Sequence, residues 1–587
     1  MLLRRLVDYS DRLESRPTLY SEVPVRYIVE LDGSGNLLSP EITDTSDPKS
    51  SHAKRGEFQL MPQIQRSKGI KPIIFASNSE YTFGLARDSK KAERVVECHH
   101  AYVEMLRRCA DRTELFEVRA VSEFLDSEPI SRLMISRDFD RGARVTFRVN
   151  GVFPADLPAV QRFWADEHHS GNTDGSESRT MQCVVCSEIR PVVARLQAKV
   201  KGIPSGHRSG TALISANAEA FESYGLRASM VAPTCAPCGE RFTRAANDLL
   251  QKESNHMVIF GTAFIFWTVE PSEISFHDLF LNPRLKQARA IAESMRSSPN
   301  SAELRDNPLY AAALSANGGR TVVRDWIDTT ITEVRGYIVR WFEHQTIVGP
   351  RGEEPRLFAI TALAGATVRE LRDLRPRVLC ALFRAALTGT PVPLDIMYGA
   401  LRRGRAEQKI TNARAALIKL VLRSRLESSG EDLLVRLDES NHNPPYLCGR
   451  LLALLELSQR PADAGMGPNA TIVGRFYSTA LSAPRSVFSR LLRGGQIQPA
   501  KLKHDRRDTY HAIQLRLEEI IAQMGAFPQT LALDEQALFS LGYYHQRAHD
   551  RAQAAEARAD PAASTEGDND GETNKTTPNA ANEMNRR

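Results

Sequence analysis

The stretch ARVTFRVNG, Ala143 to Gly151, alternates cleanly. Val145, Phe147 and Val149 point one way, while Arg144, Thr146 and Arg148 point the other. A period of two is the signature of a half-buried strand, and Asn150-Gly151 supplies the turn that ends it. The first part of the chain therefore holds sheet. Downstream, Met257–Val269 (MVIFGTAFIFWTV) is rich in Phe and Ile and carries Gly261. It reads as one buried strand with a bulge or close backbone approach. A further strand is expected at Thr321–Val323, ahead of Arg324-Asp325-Trp326. Upstream, residues 1–15 read as a short amphipathic helix with Leu2, Leu6, Tyr9 and Leu13 on one face, and residues 32–56 as a hairpin tip and exposed loop.

From about residue 327 the pattern turns helical. In Arg507–Met524, apolar Tyr510, Ile513, Leu517, Ile520, Ile521 and Met524 recur at three- and four-residue spacing, opposite Gln514, Arg516, Glu518 and Glu519. Such a face packs on other helices, as in a bundle. The fold class expected is α+β: a mixed N-terminal α/β region with a zinc-knuckle subdomain, then a mainly helical C-terminal region ending in a helix bundle. The expected domains are 1–300, 301–460 and 461–548. Residues 549–587 lack aromatic and branched aliphatic side chains, so they are read as a disordered tail.

The 587 residues carry 77 Lys and Arg against 71 Asp and Glu, a net charge of +6. Bulk charge is mild, so any nucleic-acid surface must come from clustering. No apolar run approaches the ~20 residues a membrane-spanning helix needs. Charges interrupt the N-terminal leucines, so no signal peptide is expected, and a cytoplasmic, reducing location follows. There, eight cysteines argue for metal binding or free thiols over disulfides.

Cys183-Val-Val-Cys186 and Cys235-Ala-Pro-Cys238 are two CxxC knuckles. Two intervening residues let both thiolates of a knuckle reach one ion, and two knuckles complete the tetrahedral four-sulfur shell that zinc prefers. The 48 residues between them exceed the usual ribbon spacing, so a small subdomain would sit between. The competing reading is of unpaired thiols, or one knuckle with a redox role. Four cysteines leave no open coordination position, so the zinc would be structural. Cys98, Cys109, Cys380 and Cys448 read as core thiols. His99-His100 and His168-His169, the latter after Asp166 and Glu167 and opening a polar loop at 168–178, are read as solvated loop residues. No HExxH, GxxxxGK[ST], GxSxG or complete GxGxxG is present, which argues against the commonest hydrolase and nucleotide-binding classes.

Basic groups cluster in three places. Arg195, Lys199 and Lys201 lead into the Gly/Ser loop Pro204–Gly210, which contains Arg208. Small residues there let backbone amides approach a phosphate. Lys68 and Lys71 precede an apolar segment and Asn78. Arg485, Arg490, Arg493, Lys501, Lys503, Arg506 and Arg507 face a single acid, Asp505. Phe476, Tyr477 and Phe488 are near enough to stack on bases, although aromatics at such spacing more often pack in a core.

Several segments together resemble one family: Lys71–Leu85 (KPIIFASNSEYTFGL), Phe163-Trp164, Lys201–Gly225 (KGIPSGHRSGTALISANAEAFESYG), Val322–Trp326, Pro445–Glu456 (PYLCGRLLALLE), Asn469–Leu492 and Leu541–Gln546 (LGYYHQ). In order and spacing they resemble the large subunit of type I-C CRISPR Cascade, the Csd family, from the N-terminus to about residue 547. The resemblance implies a non-catalytic protein at the guide RNA's 5′ end. It would recognise a short protospacer-adjacent motif in double-stranded DNA and help separate the strands, while the guide reads the remaining sequence by pairing. The C-terminal part would act like a small subunit along the displaced single strand, and Met466 is a plausible internal start for making it separately. Implied partners are the Cascade backbone and 5′-end-capping subunits and a helicase-nuclease. Members do not always carry cysteines at both knuckles, so zinc would serve as scaffold. By charge and position, Lys199, Lys201 and Arg208 are expected on phosphate, with Lys68 and Lys71 in a second basic cluster. Asn78 or Asn217 is expected on a base edge. Arg485, Arg490, Arg493, Lys501 and Lys503 are expected along the displaced strand. The rival readings are a metal-dependent nuclease built on the His168-His169 region, and a free-standing zinc-ribbon DNA-binding regulator.

Overall fold

The computed structural model describes residues 1–13, 16–17, 19–46, 56–64, 69–86, 92–127, 129–169, 179–196, 198–216, 218–272, 274–297, 307–426, 433, 435–459, 471–493 and 507–559. The chain divides into two units, one of Met1–His277 with Asn307–Asp328, the other of Asp278–Asp306 with Thr329–Arg587.

The first unit opens with α1 (Leu2–Ser10), followed by β1 (Tyr20–Val25), β2 (Tyr27–Leu31), β3 (Thr43–Asp44), β4 (Glu57–Pro62) and β5 (Ser77–Asn78). Helices α2 (Ser79–Thr82), α3 (Ala92–Thr113), α4 (Phe116–Asp126) and α5 (Pro129–Arg132) lead to β6 (Arg144–Val149) and α6 (Pro158–His169). The strand read at Ala143–Val149 is β6. It pairs parallel with β2, Phe147 opposite Val29, in a mixed sheet ordered β3-β2-β6-β5. Asn150 and Gly151 both take positive φ (47° and 83°), which a tight two-residue turn demands. Val145, Phe147 and Val149 are fully buried against Tyr102, Phe124 and Trp164 of the covering helices. On the other face, Arg148 donates to Glu30 of the neighbouring strand through Nε at 2.9 Å. Cys98 and Cys109 are core thiols of α3, as expected.

A second core lies downstream. It is framed by the hairpin β7 (Arg179–Gln182) and β8 (Ile189–Val192), by α7 (Ala236–Gln251), and by a four-stranded sheet ordered β12-β11-β10-β9. That sheet comprises β9 (His256–Ile259), β10 (Thr262–Thr268), β11 (Pro308–Asn317) and β12 (Arg320–Thr330). Helix α1 lays Leu6 and Tyr9 on this core, with Leu2 and Leu13 at its edge. Met257–Val269 is two strands, not one. Phe260 (φ 42°) and Gly261 (φ 77°) form a reversal that pairs Thr262 with Ile259. Gly261 supplies a turn conformation here, not a bulge. The strand expected at Thr321–Val323 continues through Trp326 to Thr330. This strand pair follows residue 300 yet belongs with the first unit.

The second unit is helical among its described residues, consistent with the α+β class. Its elements are α8 (Phe276–Leu281, beginning in the first unit), α9 (Leu285–Ser297), α10 (Ile331–Gln345), α11 (Ile360–Gly365), α12 (Pro376–Thr388), α13 (Leu394–Glu407), α14 (Asn412–Leu426), α15 (Pro444–Gln459), α16 (Ile472–Ser482), α17 (Pro484–Arg493), α18 (Arg507–Gln523) and α19 (Leu533–Ala559). A capping box starts α10: the Thr330 hydroxyl accepts from the Glu333 amide, and the Glu333 carboxylate accepts from the Thr330 amide.

The tightest packing is between α15 and α19. A Cβ on Gly449 would sit 2.0 Å from the Phe539 carbonyl oxygen, and one on Gly542 2.2 Å from that of Tyr446. The two backbones touch only because both residues are glycine. On α18, Ile513, Leu517 and Ile520 are buried as the spacing predicts, as is Met524 just past its end, whereas Ile521 lies at the edge, 36% exposed. Residues 549–559, read as the start of a disordered tail, extend α19. Ala, Glu, Gln and Arg are good helix formers that propagate an anchored helix. Asp550 anchors it, accepting from Arg516 at 2.7 Å. Residues 560–587 lie outside the described residues. No helix among the described residues is long and apolar enough to cross a membrane.

Candidate metal centre and nucleic-acid interface

Two backbone devices bring the four knuckle cysteines together. The first knuckle is the turn of the β7–β8 hairpin. The Cys183 amide donates to the Glu188 carbonyl at 2.9 Å, and the Ser187 amide folds back to the Cys183 carbonyl at 2.9 Å, with Ser187 at φ 64°. The second knuckle starts α7: Cys235 is its N-cap and Cys238 lies in its first turn. A bridge between Val192 and Cys235, with the Val184 amide donating to the Pro233 carbonyl at 2.8 Å, docks one device on the other.

The result is a cluster in which all four Sγ atoms lie within 4.8 Å of one another, with Cys186 and Cys235 sulfurs 4.0 Å apart. A tetrahedral shell of ~2.3 Å metal–sulfur bonds sets sulfur pairs at about 3.8 Å, so the four cysteines fit one ion with small adjustments. Cys183, Cys235 and Cys238 are buried and Cys186 is half-buried. Burial opposes the Cys183 thiolate, but backbone amides of Cys186, Cys235 and Val185 outweigh it and bring the group down to about 7. Burial pushes Cys235 and Cys238 up. Bringing four such sulfurs together as thiolates requires a cation among them. Among the described residues, this is the one cluster of three or more His, Cys, Asp or Glu side chains arranged to hold a metal ion.

The basic loop expected on phosphate is closed by its own backbone. Val200 and Thr211 exchange N–H···O bonds in both directions, at 2.9 and 2.7 Å. Inside it the Gly206 amide donates to Ile203 and the Gly210 amide to His207, while Gly202, Ser205 and Gly210 take positive φ. Asn247 of α7 pins the base of the loop. Its Oδ1 accepts from the Lys201 amide at 2.7 Å, and its Nδ2 donates to the Lys199 carbonyl at 3.1 Å. Lys201 and Arg208 are exposed and Lys199 is half-buried, so the loop carries all three on one short scaffold. Its far end is fixed to β12: Thr211 and Thr321 hydroxyls lie 2.7 Å apart, and Ala212 bridges to Arg320.

The pattern of the CRISPR-associated protein family (Cas_Csd1) matches residues 6–550. The chain belongs to this family. No curated protein matches it.

In this Csd1-family chain the other expected residues scatter. Lys71 is half-buried on the first core, its amide donating to the Tyr81 hydroxyl at 3.4 Å. Asn78 precedes α2 with its Oδ1 buried and without a hydrogen-bond partner, turned into the fold. Arg485 and Arg490 are exposed on α17, which ends at Arg493. Lys68, Asn217, Met466, Lys501 and Lys503 lie outside the described residues, as does the Arg493 side chain. Tyr477 and Phe488 are fully buried; Phe476 is half-buried under the Arg475 guanidinium.

The His168 region is not a loop. It is the last turn of α6, where the His168 ring lies 3.9 Å from that of Trp164 and its Nδ1 contacts the Trp164 carbonyl at 3.0 Å. Glu167 accepts from Arg108 at 2.9 Å. Likewise His99 meets the Tyr81 carbonyl through Nδ1 at 2.9 Å.

Lys201–Gly225 carries part of the family resemblance, but its two aromatics have no role in the sequence reading. Phe221 is 49% exposed with the Arg320 guanidinium 4.4 Å from its ring centre, and Tyr224 is 97% exposed. The signal was available: two aromatics among Glu, Ser and Gly (EAFESYG) have no apolar periodicity to bury them.

Proposed function

We propose that this chain is the non-catalytic large subunit of a type I-C Cascade complex. In this reading it recognises a short adjacent motif in duplex DNA, assists strand separation and helps bring in the helicase-nuclease. The guide RNA supplies the remaining specificity. The observation that carries this is the family match over residues 6–550. The closed loop bearing Lys199, Lys201 and Arg208 supports it, since phosphate contacts position a protein on a duplex without any catalytic group.

The four cysteines would hold zinc as scaffold. A four-thiolate shell has no open position for water or substrate, so the ion would supply no reaction chemistry. By joining the β7–β8 hairpin to the start of α7, it would fix the helix from which Asn247 holds the basic loop. The exposed arginines of α17 would follow the displaced strand, and translation from Met466 would add copies of the C-terminal part.

The test is a gel shift of target duplex by the complex reconstituted from guide RNA and partner subunits, with and without this chain. Tight, motif-dependent binding only in its presence, without cleavage, is the expected result. Unchanged binding without it, or cutting of DNA by the isolated protein with a divalent metal, would overturn the reading.

A further inference from the structure

Tyr224 is placed at a cost that nothing inside the fold offsets. It stands at the tip of a two-residue reversal in which the Leu226 amide donates to the Ser223 carbonyl at 2.9 Å. Tyr224 and Gly225 both take positive φ, 54° and 68°. Glycine or asparagine suits the first of these positions, whereas a bulky side chain there is strained. A ring 97% exposed to water recovers none of that strain by packing.

The tip is nevertheless held. Behind it, the Ser229 amide donates to the Ala194 carbonyl at 2.9 Å and its hydroxyl to the Ile214 carbonyl at 3.2 Å. In front, Phe221 lies under Arg320, whose backbone bridges to Ala212 next to the Thr211 that closes the basic loop. A strained, solvent-facing aromatic is thus tied through two short links to the loop carrying Lys201 and Arg208. Arg227, its side chain 82% exposed, lies 3.9 Å from the Glu222 carboxylate at the base of the tip.

We propose that Tyr224 stacks on an unpaired nucleic-acid base where a duplex ends, while the 199–211 loop holds the adjoining phosphates. An exposed flat ring, joined through Phe221 and Arg320 to a loop that carries Lys201 and Arg208, matches a base beside its backbone. A protein-docking surface would instead present a contiguous apolar core depleted in charge. The assignment rests on the duplex-binding reading above and adds to it the residue that meets the opened strand.

The test uses the complete guide-loaded complex with motif-bearing duplex and reads permanganate oxidation of thymines next to the motif. Tyr224→Ala is expected to reduce opening and affinity roughly tenfold, and Tyr224→Phe, which keeps the stacking face, to stay within about twofold of the parent. Thermal melting of both variants should match the parent, because the ring packs on nothing. Equal opening by parent and Tyr224→Ala would overturn the inference and leave the proposed function standing. A parent complex that binds and opens no duplex would overturn both. Failure of the partner subunits to co-purify with Tyr224→Ala would place the tip at a protein contact and likewise overturn it.

Discussion

Two regions resemble the same family yet are built for different ends. Lys201–Gly225 in the first unit is mostly exposed or half-buried among its described residues: a closed basic loop, then an aromatic tip. Pro445–Glu456 and Leu541–Gln546 in the second unit are almost all interior. There Gly449 and Gly542 let α15 and α19 touch backbone to backbone. Around that contact runs a buried polar network. Arg450 donates to Gln546 at 3.1 Å, Gln546 to Asp550 at 3.0 Å, and Tyr543 to Glu456 at 2.8 Å. Family-like sequence therefore carries two messages. Where side chains are buried it specifies packing, and where they are exposed and strained it points to a partner.

The largest effect that could break this contrast concerns the metal centre. We expect the purified protein to carry about one zinc ion per chain by elemental analysis. Cys183→Ser with Cys235→Ser should abolish it. Tetrathiolate sites contribute on the order of 10 kcal/mol in small zinc domains, so loss should expose the 179–238 region to protease while the helical unit stays intact. Full metal-free stability of that region would refute the scaffold role.

Next is the helix contact. Gly542→Leu drives a side chain into the Tyr446 carbonyl, and overpacking of this kind costs at least ~3 kcal/mol when backbone must move. Urea unfolding of the helical unit should shift accordingly, with zinc content unchanged. A midpoint equal to that of the parent would remove the packing account.

Smaller is an acid effect. His545 is buried with its Nδ1 3.0 Å from the Tyr446 hydroxyl, which accepts from the Asp438 amide. Burial first, then Lys419, lowers the imidazole to about 3, against a weaker opposing pull from Asp438. The folded state thus prefers neutral histidine. Its contribution is complete above the unfolded value near 6.5 and is lost as pH falls from there toward 3, on the order of a few kcal/mol. His545→Phe should flatten the fall of the melting temperature across that window. An unchanged slope would mean His545 titrates normally.

How much was legible follows the same division. The β6 strand, the helical second half and the paired knuckles were readable because each follows from local spacing: a period of two, a period near 3.6, and two residues between ligands. The β9–β10 reversal was misread because Phe260 takes a left-handed conformation that its identity does not announce. The helical residues 549–559 were misread because apolar content was weighed without the helix that precedes them. His168 was placed in a loop since its partner, the Trp164 ring, is one helical turn away on a helix the polar run concealed. At the candidate interface, charge clustering found the 199–211 loop but not the fixed aromatic tip, which depends on contacts with Arg320 nearly 100 residues away.

The most direct test of the central claim, that the exposed loop of the first unit meets duplex phosphate, is the salt dependence of target binding by the guide-loaded complex carrying Lys201→Ala and Arg208→Ala. Two lost phosphate contacts should weaken binding and make the slope of log K against log salt shallower by about 2, with zinc content and melting temperature unchanged. An unaltered slope and affinity would contradict the claim and place the duplex elsewhere on the protein.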